Sequence, residues 1–246
     1  MTATRSAELR AVTLRCPDDL TPDALEWLTG GLAAGLPSLR MRGLFTVRVD
    51  MFSEADLITV VLAGDTMAGV LASRWALLDS GPRFLHITSQ FVAETHRHGE
   101  VFRSCWREHL AELTSGGGGF PFLSALKTYN PVVYCAMRSF TAAPGTTFYP
   151  PIDGSRAEGL TLPVAEVARA VAPGRPFDQG TGVITAPGSP GDLYPSMPAS
   201  RDSAVNDYFA RLLRPQDRIL CVLSVAPDGD GAPTIMRAFG LGDNNA

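Results

Sequence analysis

Apolar and polar positions change their spacing repeatedly along the first half of this chain, and each change marks an element. Residues 12–15 read as a short strand. Thr21 and Pro22 then open a helix, as N-cap and first helical residue, with Leu25, Leu28, Leu32 and Leu36 as its apolar stripe. Gly30, Gly31 and Gly35 weaken that helix. Residues 44–52 alternate, which predicts a strand, or a strand running into a helical turn. Residues 57–63 form a continuous apolar strand, Gly64-Asp65-Thr66 turns it, and residues 67–77 return as the second arm of a hairpin. Residues 84–94 predict the next strand, 99–113 a helix, 116–119 a glycine loop, and 122–127 a further strand.

The order to residue 140 is that of a mixed α/β sheet, antiparallel early, with a strand–helix–strand unit at its centre. From about Ala142 the texture changes. Pro144-Gly145, Pro150-Pro151, Pro173-Gly174 and Pro187-Gly188 are turn signals. Between them lie predicted helices at 164–171 and 203–213 and a strong strand at 218–225. Residues 1–150 are therefore expected to form the core. Residues 151–246 are expected to form a proline- and glycine-rich C-terminal arm whose last strands complete the sheet. The strand at Ile219–Val225 is also able to pair across subunits in a homodimer.

Composition narrows the field. The 246 residues are 45% hydrophobic and 19% charged, which suits a packed core. A formal net charge of −4 argues against nucleic acid or an anionic membrane as partner, because both demand a basic surface. Cys16, Cys105, Cys135 and Cys221 lack the paired spacing of a zinc site or disulfide framework, so reduced thiols and no metal are expected. No apolar run has signal or transmembrane length, which points to a cytoplasmic protein.

Two segments carry candidate chemistry. In the first, the strand at 84–94 runs through His96, Arg97, His98 and Gly99 into a helix beginning Glu100-Val101. Such a turn aims unpaired backbone N–H groups at one point, where the helix dipole also favours an anion. In the second, the strand at 122–127 is followed by Asn130, Pro131, Tyr134, Cys135 and Phe140.

Together these segments resemble the two signature segments of the GCN5-related N-acetyltransferase (GNAT) superfamily. The resemblance covers roughly residues 10–150 and implies a GNAT-like fold. It also implies acyl transfer from an acyl thioester, acyl-CoA or an acyl carrier protein thioester, to an amine of a small molecule. In that family the turn reads Arg/Gln-x-x-Gly-x-Gly/Ala and holds the coenzyme A pyrophosphate. Here Gly99 falls on the required glycine, His96 takes the Arg/Gln place with Arg97 one residue late, and Val101 replaces the final small residue. A valine there is expected to narrow the backbone approach, and Glu100 to repel phosphate.

The resemblance further assigns Asn130 to the pantetheine arm and Tyr134 to protonating the departing thiolate. Counting back from Phe140 puts Cys135 in the tyrosine's place, and a purely packing role for Tyr134 stands beside the catalytic one. The thioester carbonyl would be held by backbone N–H groups of Phe91, Val92 and Ala93. Period-two alternation puts His86, Thr88, Gln90 and Glu94 on one polar face of the strand. Glu94 is the expected base, with His86 acting through water as the alternative, because a protonated amine is no nucleophile. His109 is expected at the surface or at a helix end. A large arm beside a departed phosphate turn also resembles GNAT-like synthases using long-chain or carrier-protein donors, and a scaffold turned to binding alone is a third alternative.

Overall fold

The computed structural model describes residues 8–48, 51–97, 99–152, 162–187 and 193–242. Nine strands make a mixed sheet in the order β1-β2-β3-β4-β5-β9-β8-β7, with β6 also paired to β9. The chain divides into two compact units. The first comprises Met1–Arg74, Thr88–Gly119 and Phe239–Leu241, and the second Trp75–Ile87, Phe120–Ala238 and Gly242–Ala246.

In the first unit β1 (Leu9–Arg15) runs antiparallel to β2 (Leu57–Ala63), which pairs antiparallel with β3 (Thr66–Leu77). Gly64 makes their turn possible, with φ of 61°, a conformation that side chains other than glycine rarely adopt. Helix α1 (Pro22–Gly35) starts as its sequence predicts: the Thr21 hydroxyl accepts the Ala24 N–H at 3.2 Å. Leu28 and Leu32 bury its inner face.

Residues 41–47 depart from expectation. The alternation at 44–52 predicts a strand, or a strand running into a helical turn, but Met41–Val47 is helix α2, seated by Met41 and Leu44 one turn apart. Helix α3 (Glu100–Ser115) packs on β1 and β2, and Val101, Cys105, His109 and Leu113 are buried along it. His109 is not at the surface. It is fully buried, between the Thr59 hydroxyl at 3.0 Å from Nδ1 and the Ser73 hydroxyl at 2.7 Å from Nε2.

The second unit is built on β5 (Leu123–Thr128) and β9 (Arg218–Val225), antiparallel over six residue pairs from Leu123↔Ser224 to Thr128↔Ile219. β4 (Arg83–Val92) contributes its first half here, and Leu85 and His86 pair in parallel with Ser124 and Ala125. The predicted strand–helix–strand unit is thus present as β4, α3 and β5. The far edge of β9 carries two short partners, β6 (Thr146–Tyr149) and β8 (Val183–Ile184), and β8 pairs in turn with β7 (Phe177–Asp178). The late chain therefore completes the sheet.

Helices α4 (Pro131–Arg138), α5 (Val164–Val171), α6 (Ser203–Leu212) and α7 (Gly231–Ala238) complete this unit. Its core joins Phe84, Ala125, Tyr149, Val167, Leu220 and Val222. Among the described residues, no helix is long and apolar enough to cross a membrane.

Candidate functional site

The first unit holds the turn that sequence reasoning singled out. β4 ends at Val92, two residues earlier than its polarity pattern suggests, and Glu94–His96 forms a single 3-10 turn. Glu94 therefore leaves the strand face. It is exposed, and its carboxylate lies 3.8 Å from the Arg97 guanidinium. The chain is extended at Gly99, with φ of −111° and ψ of −164°, before α3 begins at Glu100. Among the described residues no side chain caps this end, so the first-turn N–H groups of α3 have the capacity to bind an external acceptor. His98 lies outside the described residues.

Val101 does not obstruct the turn. Its side chain is buried against β3, where a Cβ on Gly69 would come within 2.6 Å of Cγ1 of Val101. A glycine on the neighbouring strand thus makes room for the valine inside the core, and the expected narrowing does not arise. Glu100 remains exposed in the first turn, so the expected carboxylate is in place.

Of the backbone donors expected to hold the carbonyl, the Ala93 N–H is already given to the Ala68 carbonyl at 2.8 Å. Phe91 and Val92 are half-buried on the last residues of β4. A side chain on the same strand offers something the sequence left without a role. Both amide atoms of Gln90, Oε1 and Nε2, are buried and have no hydrogen-bond partner among the described residues. Leaving a buried donor or acceptor unmade costs about 1–3 kcal/mol, so Gln90 is kept here against folding stability. The polar alternation of β4 already contained it. Only packing reveals that its amide is both buried and unsatisfied.

The second unit holds the other predicted residues. Asn130 is the N-cap of α4: its Oδ1 accepts the Val132 N–H at 2.9 Å, and its Nδ2 donates to the Tyr194 hydroxyl at 3.0 Å. Tyr134 is fully buried, packed edge-on against Phe148 and Phe209, and its hydroxyl donates to the Pro150 carbonyl at 2.6 Å. Burial pushes its pKa well above the ordinary phenol range. Cys135 beside it is half-buried. His86 is buried on β4, its ring tilted against Phe84. The thiol of Cys105, next to Val101 in the core, is pushed up to about 12 by burial, and that of Cys16 to about 11. Such thiols are poor nucleophiles.

The structure therefore brings Glu94, Arg97, Gly99 and Val101 together around one helix start, and Asn130 and Tyr134 together around another. No group of three or more His, Cys, Asp or Glu side chains suited to a metal occurs among the described residues.

No protein-family profile matches the chain, and no curated protein does. Solved structures with a similar arrangement include a GNAT family acetyltransferase from Brucella melitensis in complex with acetyl-CoA. It is 13% identical, over 49% of this chain and 75% of that one, with a TM-score of 0.35. The IAA acetyltransferase of Bacillus cereus is 19% identical over 57% of this chain and 79% of its own, with a TM-score of 0.34. An aminoglycoside acetyltransferase from an uncultured soil metagenomic sample, in complex with trehalose, is 9% identical over 55% and 88%, with a TM-score of 0.38.

Proposed function

We propose that this chain transfers an acyl group from a coenzyme A thioester to an amine of a small molecule. The observation that carries the reading is the start of α3 at Gly99, which no described side chain caps and which follows β4 through the turn at Glu94–His96. A helix start with free N–H groups and a positive dipole end is suited to the donor's phosphates. Gly99 adds no side chain to the approach, Val101 is turned into the core, and Arg97 supplies a cation beside the turn.

In this reading the residues divide the chemistry as follows. The N–H groups of Glu100 and Val101 and the guanidinium of Arg97 hold the donor. The Nε2–H of Gln90 donates to the carbonyl oxygen of the thioester as negative charge develops there, in a buried setting that strengthens such a bond. Glu94, exposed in the turn after β4, takes the proton from the attacking amine, directly or through water. The amine then bonds to the acyl carbon and the thiolate departs, taking its proton from solvent. We assign Tyr134 to packing and not to this step, because its hydroxyl is committed to the Pro150 carbonyl. Asn130 likewise serves α4 as a cap.

A second donor is favoured by one observation. The exposed Glu100 carboxylate in the first turn of α3 opposes a diphosphate more than a single phosphodiester, so an acyl carrier protein thioester suits the turn as well. Thermal unfolding with acetyl-CoA, longer acyl-CoAs and an acylated carrier protein separates the two, since a ligand of the folded state raises the midpoint by mass action. Stabilisation by acyl-CoA supports the first donor and by carrier protein alone the second. Stabilisation by neither overturns the acyl-transfer reading.

A further inference from the structure

β9, the strand expected to pair across subunits, has no edge to offer: β5 takes one side of it, and β6 and β8 the other. β1 lies at one end of the strand order and pairs with β2 alone, whereas β7 at the other end has only two residues. Sheet edges are usually blunted by proline, lysine, a bulge or brevity. β1 is seven residues long, has neither proline nor lysine, and keeps an unbroken register with β2 from Leu9↔Ala63 to Arg15↔Leu57.

Two hydrogen bonds at the ends of the β1–β2 pair fix which backbone groups face outward. The Cys16 N–H donates to the Asp56 carbonyl at 2.8 Å, and the Gly64 N–H to the Glu8 carbonyl at 3.2 Å. Backbone direction alternates along a strand, so the even-numbered residues bond to β2. Leu9, Ala11, Thr13 and Arg15 therefore turn their N–H and C=O groups to the outer edge. Arg15 is already served there: its N–H donates to the Asp19 carboxylate at 2.8 Å, and its carbonyl accepts the Asp19 N–H at 2.8 Å. Leu9, Ala11 and Thr13 have no strand on that side among the described residues.

This edge is complementary to a second copy of itself. Antiparallel pairing joins outward residues to outward residues, so a two-fold axis must fall on a residue of the strand and not between two. Centred on Ala11, it sets Leu9 of each copy opposite Thr13 of the other, and Ala11 opposite Ala11. All three open residues then pair, each pair exchanging two hydrogen bonds, and Arg10 faces Val12. Centred on Arg10, the axis would oppose two like charges and leave Thr13 without one of these partners. Centred on Val12 or Thr13, it would call on Arg15, whose groups the Asp19 turn holds. We propose that two copies of this chain associate edge to edge through β1, antiparallel about a two-fold axis at Ala11. The interface is independent of the acyl-transfer reading.

The test is sedimentation equilibrium of the full chain at concentrations into the high micromolar range, where the wild type should form a dimer. Ala11→Pro removes an outward N–H at the axis and spares the bonds to β2, which the even-numbered residues make, so the variant should fold. Its dimer dissociation constant should rise by about tenfold or more. Cysteine pairing supplies a second measurement should the proline variant fail to fold. A two-fold axis at residue 11 brings the thiols of Ala11→Cys within disulfide reach and holds those of Thr13→Cys several residues apart. Mild oxidation should therefore link Ala11→Cys into a covalent dimer and leave Thr13→Cys, like the wild type, unlinked. A wild type that stays monomeric throughout the range overturns the proposal. So does undiminished dimerisation of a folded Ala11→Pro, or linkage of Thr13→Cys as ready as that of Ala11→Cys.

Discussion

His109 is the group whose burial should be visible most directly in solution. Enclosure without an opposite charge lowers its pKa from the ordinary 6.5 to about 3, the cause being desolvation. The neutral ring donates from one nitrogen and accepts at the other, which the hydroxyls of Thr59 and Ser73 satisfy. In the unfolded chain the same imidazole takes up a proton near pH 6.5. The sign follows: below that pH the unfolded state binds the proton and the folded state does not. Stability is therefore full above pH 6.5 and is lost as pH falls toward 3.

At pH 5 the unfolded chain lies 1.5 pH units below its pKa, which at 1.36 kcal/mol per unit amounts to about 2 kcal/mol. For a chain of this size that lowers the unfolding temperature by about 4–8 °C. Carboxylates titrate over part of the same range, so the comparison is with His109→Gln, which keeps a donor and an acceptor but cannot titrate. Thermal unfolding of both proteins at pH 7, 6 and 5 should give curves that converge on acidification, the wild type losing about 2 kcal/mol more. Parallel curves would mean that the ring is solvated or charged in the fold, and would refute the reasoning.

Two further outcomes follow from the polar groups of the two units. Gln90→Leu removes a buried, unpartnered amide, so the unliganded protein should gain about 1–3 kcal/mol of stability while turnover falls by about 10²–10³. Chemical denaturation and single-turnover acyl transfer read the two effects, and a destabilised variant with normal turnover would show a structural amide. Tyr134→Phe strands the Pro150 carbonyl and should cost about 1–3 kcal/mol of stability with turnover unchanged. A large fall in turnover at unchanged stability would return the hydroxyl to catalysis.

How much of this was legible in the sequence depended on where each signal resides. The apolar runs of β2, α5 and β9 match their structural bounds because one element's own periodicity sets them. α2 was misread because only Met41 and Leu44 bury on it, too few for a helical period to outweigh the alternation downstream. The four-residue β6 lies between Pro144-Gly145 and Pro150, and its partner β9 is some 75 positions away, so nothing local announces it. α7 opens on Gly231 and holds Pro233, residues that read as a turn.

The site divides in the same way. Gly99 and the helix after it follow from the strand–turn–helix pattern. The burial of Val101 depends on Gly69, thirty-two positions earlier, and the burial of the Gln90 amide shows only in the fold. The place of His109 on the Cys105–Leu113 stripe was readable from its four-residue spacing to each. Its two hydroxyl partners on β2 and β3 were not.

Binding at the start of α3 is the claim on which the functional account turns, and calorimetric titration of acetyl-CoA into wild type and Gly99→Val tests it most directly. A Cβ at position 99 would approach only the His96 carbonyl, at 3.4 Å, and Gly99 has an ordinary extended backbone, so the variant should fold. The account predicts saturable binding to the wild type and a loss of about tenfold or more in the variant, at an unchanged unfolding temperature. Equal affinity for acetyl-CoA in both folded proteins would contradict it.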